Sequence, residues 1–134
     1  MQTKSGALFE NVLWHVILIS FRKETPDEVR QKIFDMYQTL PEDCGGKDAG
    51  ILYFSVNHNL DLRKNVHLVE IAAFRNEDAL QKFRFHPKHA LLAKELSAIA
   101  DWQVGDVMLP PVLITEVVPK IGPDLENMYY DPKN

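Results

Sequence analysis

The sequence predicts a single α+β domain, and three observations carry that prediction. Apolar runs of strand length stand at residues 12–21, 50–59 and 66–74. Two segments with helical spacing lie after the first and third of these runs, and turn-forming residues mark the junctions. A chain of 134 residues, 46% hydrophobic and 25% charged, suits one globular domain with its own core.

Residues 1–11 read as an N-terminal arm in which Leu8 and Phe9 could pack on a partner. The run VLWHVILISF, Val12 to Phe21, is apolar on both alternating faces, as a strand covered on both sides must be. Thr25, Pro26 and Glu28 then form a helix start, with a hydroxyl to cap, a proline at the first helical position and a glutamate to close a capping box. Val29, Ile33, Met36, Tyr37 and Leu40 follow at helical spacing, and the helix is expected to end near Pro41.

A turn-rich connection, Glu42 to Ala49, leads into GILYFSVNHN as the second strand. Asn59 to Asn65 reads as a hairpin loop, and VHLVEIAAF at 66–74 as the third strand. Asn76 can cap a helix from Glu77 that breaks at His86 before Pro87 and restarts through ALLAKELSAIA. Pro110 and Pro111 introduce VLITEVV, residues 112–118, as the expected fourth strand. The domain is thus bounded at 12–118, with 119–134 as a C-terminal tail. The order is β-α-β-β-α-β, the split βαβ arrangement of ferredoxin-like folds. Because the strands are apolar on both faces, the face away from the helices is expected to meet a second copy in a homodimer.

Fifteen basic against nineteen acidic residues give a formal charge of -4, so no nucleic-acid partner is expected. Glu10, Asn11 and His15 interrupt any apolar leader, and no apolar run approaches the ~20 residues that span a bilayer, so neither a signal peptide nor a membrane partner is expected. The lone cysteine, Cys44, sits in a polar, glycine-rich stretch and reads as a loop thiol, consistent with a cytoplasmic, reducing setting. No HExxH, EF-hand loop or close cysteine pair is present, and glycines are too scattered to cradle a phosphate, so neither metal nor organic cofactor is expected.

Histidines carry the chemical signal. His15 interrupts an apolar strand on the side of Leu13, Ile17, Ile19 and Phe21, so it needs a buried partner or a wet cavity. His67 poses the same question on the third strand. His86 and His89 bracket Pro87 and Lys88 at a helix start, His86 as a capping residue and His89 as either a base or a structural hydrogen-bond partner. Imidazoles exchange protons near neutral pH. His58, at a strand end, reads as a turn residue or cavity rim; Trp14, Tyr53 and Trp102 line either a cavity or the core.

Together WHVILISF, TPDE, VNHN, VHLVEIAAF and especially ALQKFRFHPKHALL resemble the stress-responsive A/B barrel (Dabb) family over about residues 12–118. The resemblance implies a ferredoxin-like protomer whose sheets meet face to face in a dimeric α/β barrel. It also implies a likeness to plant polyketide cyclases that close a linear thioester by aldol condensation without metal or organic cofactor. On that pattern His89, His15 and His67 are the catalytic positions, and Phe83 stands where the cyclase has a tyrosine, replacing a phenol by a ring with neither donor nor acceptor. Phe83, His86, Tyr53 and Trp14 are then the expected substrate contacts.

Three functions follow as alternatives. The first is a cofactor-independent lyase, cyclase or isomerase acting on a small hydrophobic carbonyl compound. The second is a non-catalytic, stress-associated dimer that binds a small hydrophobic molecule, and the third a cofactor-free dimeric-barrel monooxygenase.

Overall fold

Strand β1, Val12–Phe21, alternates buried and half-buried positions along its whole length in the computed structural model, which describes residues 11–110. Leu13, His15, Ile17, Ile19 and Phe21 turn to the covered face, as the alternation in sequence requires. Helix α1, Asp27–Asp43, packs Ile33, Tyr37 and Leu40 onto that face. Two details of this helix depart from expectation. The Thr25 hydroxyl does not cap it but donates to the Ile99 carbonyl at 3.2 Å, tying the helix start to a distant turn. Pro41 lies inside the last turn rather than ending it, because the Cys44 amide still reaches the Leu40 carbonyl at 2.9 Å. Cys44 is accordingly a buried C-cap and not a loop thiol, and burial pushes its pKa up.

A short 3-10 turn, Gly46–Ala49, and Gly50 at φ +88° deliver the chain into strand β2, Ile51–His58. Strand β3, Leu68–Phe74, pairs antiparallel with β2 across a bulge between Ile51 and Tyr53. It starts two residues later than the apolar run because Asn59 binds the Val66 carbonyl and holds the loop. Asn76 caps helix α2, Glu77–Arg84, accepting from the Ala79 amide at 2.9 Å. His86 caps helix α3, Pro87–Ser97, accepting from the Lys88 amide at 3.1 Å.

The fourth strand corrects the sequence reading. It is β4, Ala100–Leu109, immediately after α3, and it pairs with β1 from Phe21↔Ala100 to Val12↔Leu109. Asp101, Gln103, Gly105 and Asp106 break its apolar pattern, which an edge position tolerates: among the described residues the sheet order is β2-β3-β1-β4, and β4 is exposed from Asp101 onward. The expected strand at 112–118, the arm at 1–10 and the tail at 119–134 lie outside the described residues.

Every neighbouring pair in the sheet is antiparallel, and the element order makes this a ferredoxin-like α+β fold. On the face away from the helices, register sets Trp14 beside Ala73 and Val107, Val16 beside Ile71, and Leu18 beside Val69. Tyr53, Ile71, Val107 and Leu109 are exposed there or at its edges.

Candidate functional site

The covered face of β1 brings His15 between two carboxylates from its two neighbouring strands. Asp106 lies directly opposite on β4, and its Oδ1 accepts from His15 Nδ1 at 2.5 Å. Glu70 faces the same layer from β3 and sets Oε2 3.5 Å from His15 Nε2, an approach without hydrogen-bond alignment that leaves Oε2 unpartnered among the described residues. Glu70 is 1% exposed. Burial first, and then the Asp106 charge, push its pKa up to about 8, so it stays protonated at neutral pH. The other Asp106 oxygen meets Arg84 at 3.4 Å and links the end of α2 to the sheet edge.

His89, in the first turn of α3, lines a cavity of about 40 Å³ with Ile17, Tyr37, Leu92, Ala93, Leu96 and the exposed Trp102. Its Nδ1 is buried without a partner among the described residues. Its ring stands edge-on to Phe83 at 4.7 Å. Burial, with help from His15, Arg84 and His86, lowers its pKa against the pull of the Arg84 carbonyl, so the imidazole is neutral at pH 7. Tyr37 reaches the same cavity from α1, and burial followed by the Glu70 charge raises its pKa, keeping the phenol protonated.

Phe83 is buried 5.2 Å from Phe74, which in turn meets His15 edge-on at 6.0 Å. A continuous aromatic contact therefore joins His15 to His89. The remaining sequence candidates fall elsewhere. His67 lines a separate, larger cavity of about 320 Å³ and accepts the Phe21 amide on Nδ1 at 3.0 Å. Trp14 and Tyr53 meet each other at 5.9 Å on the opposite face of the sheet, His86 is occupied as a cap, and exposed His58 stacks on Phe34 at 4.6 Å.

Both the His67 cavity and an adjoining one of about 440 Å³ that His67 also lines are larger than the His89 cavity. Unpartnered polar groups favour the His89 cavity, because Glu70 Oε2 and His89 Nδ1 both belong to the His15–His89 layer. Sequence reading missed Tyr37, Glu70 and Asp106 as parts of this layer. Their signals were modest: Glu70 alternates with Leu68 and Ala72, and Asp106 with Val104 and Met108. No three metal-ligating side chains converge among the described residues, since the two carboxylates sit at opposite nitrogens of one ring.

The fold and this layer define a ferredoxin-like α+β protein with a buried imidazole–carboxylate set under its helices. The chain belongs to the stress-responsive A/B barrel domain family, whose model matches residues 13–109, ending where β4 ends. A search of curated proteins finds no match. Among solved structures, a dimeric ferredoxin-like protein of unknown function from Thermobifida fusca is 15% identical, with 75% of this chain and 92% of that one covered at a TM-score of 0.66. A hydroxynitrile lyase from Passiflora edulis is 13% identical, with 78% and 98% covered at 0.64. A cofactor-independent oxygenase from Streptomyces nogalater is 16% identical, with 77% and 97% covered at 0.59. These likenesses are of fold.

Proposed function

We propose that the chain is a cofactor-independent acid/base enzyme, a lyase, cyclase or isomerase, acting on a small hydrophobic carbonyl compound as a cytoplasmic homodimer. The observation that carries this reading is a neutral His89 and a protonated Tyr37 in the lining of one apolar cavity. His89 removes a proton from the carbon next to the carbonyl, and the resulting enolate oxygen takes a hydrogen bond from the Tyr37 phenol. The proton then returns to a second carbon in an isomerisation, or to the new alkoxide when the enolate closes a ring on another carbonyl. Tyr37 supplies from α1 the phenol that Phe83 lacks on α2. His15 is a positioning residue: Asp106 fixes its ring and Arg84 ties Asp106 to the helix pair that carries His89. The apolar outer face of the sheet supports the dimer.

Exchange of α-protons for deuterium in propanal and phenylacetaldehyde, followed by NMR against the buffer rate, tests the reaction without knowledge of the natural substrate. His89→Ala should slow it by about 10²–10⁴-fold and Tyr37→Phe by about tenfold. Exchange no faster than in buffer, or unchanged in both variants, overturns the reading. That outcome favours a non-catalytic dimer that binds its small molecule elsewhere, because the His89 cavity, about 40 Å³, is well below the ~300 Å³ at which ordinary ligand sites begin.

A further inference from the structure

The cavity of about 320 Å³ between the start of α1 and the β2–β3 loop shares no lining residue with the His89 cavity. Two basic groups converge on one phenyl ring at its wall. The Arg30 guanidinium lies 5.2 Å from the centre of Phe21, and the His67 ring lies 5.7 Å from it. Arg30 spends Nε on the Thr25 carbonyl at 3.1 Å and Nη2 on the Arg22 carbonyl at 3.3 Å, while Nη1 has no partner among the described residues. No carboxylate lies within ion-pair distance of Arg30 among those residues; Asp27 lines the cavity but does not pair with it.

His67 is fixed more tightly. Because its Nδ1 accepts the Phe21 amide, the proton of the neutral ring must sit on Nε2, where it is a donor. Arg30 and His67 also wall an adjoining hollow of about 440 Å³ with Lys23, which adds a second cation there. With no carboxylate paired to Arg30 among the described residues, its guanidinium and the Nε2 proton of neutral His67 are both left to meet an acidic ligand. Leu62 and Leu68 add apolar surface to a wall that also carries Asp27, Gln31, His58 and Asn59.

We propose that this cavity binds a small monocarboxylate with an apolar body, its carboxylate held by Arg30 Nη1 and His67 Nε2 and its body against Phe21, Leu62 and Leu68. Its volume lies at the lower end of ordinary small-molecule sites, which start near ~300 Å³.

Benzoate and its neutral isostere benzamide are the probes, with histidine ring signals read by NMR on the full chain. Benzoate should shift the His67 signals and leave those of His89 in place, and benzamide should bind at least about tenfold more weakly. Arg30→Gln should weaken benzoate by about tenfold and Arg30→Lys by less, since lysine keeps the charge but loses the fork. Should Arg30→Gln fail to fold, the benzoate–benzamide comparison on the unsubstituted chain decides. Equal affinity of the two probes, no shift at His67 at millimolar benzoate, or shifts confined to His89 overturns the proposal.

Discussion

His15 meets a carboxylate at each nitrogen, and burial makes the two unequal. Asp106 is partly solvated, accepts a 2.5 Å hydrogen bond and is paired with Arg84. Glu70 is shut away, and its pKa of about 8 lies above the 4.5 of the free side chain. Between those values the unfolded chain has released a proton that the native state keeps, so this contribution to stability is full below pH 4.5 and is lost as pH rises through 8. Glu70→Gln should therefore gain on the unsubstituted protein as pH rises from 5 to 8. Thermal melts read the difference at ~4–8 °C per kcal/mol; parallel melting curves would show that Glu70 does not titrate in this way. Asp106→Ala leaves buried His15 without the acceptor at Nδ1 and should cost about 1–3 kcal/mol in denaturant unfolding, whereas loss of a surface charge alone would cost well under 1 kcal/mol. His15 was visible in the sequence because one polar residue stood in an apolar strand. Its partners were not, because a carboxylate is ordinary on strands that have a wet face, and only the register shows which face is dry.

Strand β4 shows what composition conceals. Its alternation of Trp102, Val104 and Met108 is broken at Asp106, so the segment reads as a connection, and the cleaner apolar run beyond Pro111 draws the assignment. Pairing with β1 over ten positions decides otherwise. Caps were easier to place: Asn76 and His86 begin α2 and α3 where the sequence puts them, since a cap needs only a polar side chain and the amides just ahead of it. The entry to β2 depends on Gly50, whose φ of +88° and close approach to α2 have one cause, the tight return of the chain into the sheet. A Cβ there would stand 2.7 Å from the Ala79 Cβ. Gly50→Ala should destabilise by about 2 kcal/mol, from backbone strain and overpacking together. A change below about 0.5 kcal/mol would mean that the turn relaxes freely.

For the whole molecule, the outer sheet face is the one that none of the described helices covers. Trp14, Val16, Leu18, Val69 and Ile71 run across its centre in register, an apolar surface of the kind that proteins cover by association. Light scattering should give twice the chain mass of 15.4 kDa, and Val16→Asp should return it to a single chain mass, since a carboxylate cannot be desolvated there without a partner. A single chain mass for the unsubstituted protein at micromolar concentration would contradict the assembly. Two-faced apolar strands made this face legible in the sequence. The separation of His67 from His15 and His89 was not, because it depends on the β2–β3 loop turning one imidazole back toward α1.

The edge position of β4 also governs how the buried layer communicates with solvent. Among the described residues, β1 is its only sheet neighbour, yet it carries the carboxylate that fixes His15 and latches Arg84. Unzipping a few residue pairs at this margin would release both contacts while the central strands stay intact. Such local opening would admit water to His15 and Glu70 at a free energy below that of global unfolding. Opening of β4, the outermost strand among the described residues, would thereby couple to the protonation of the interior.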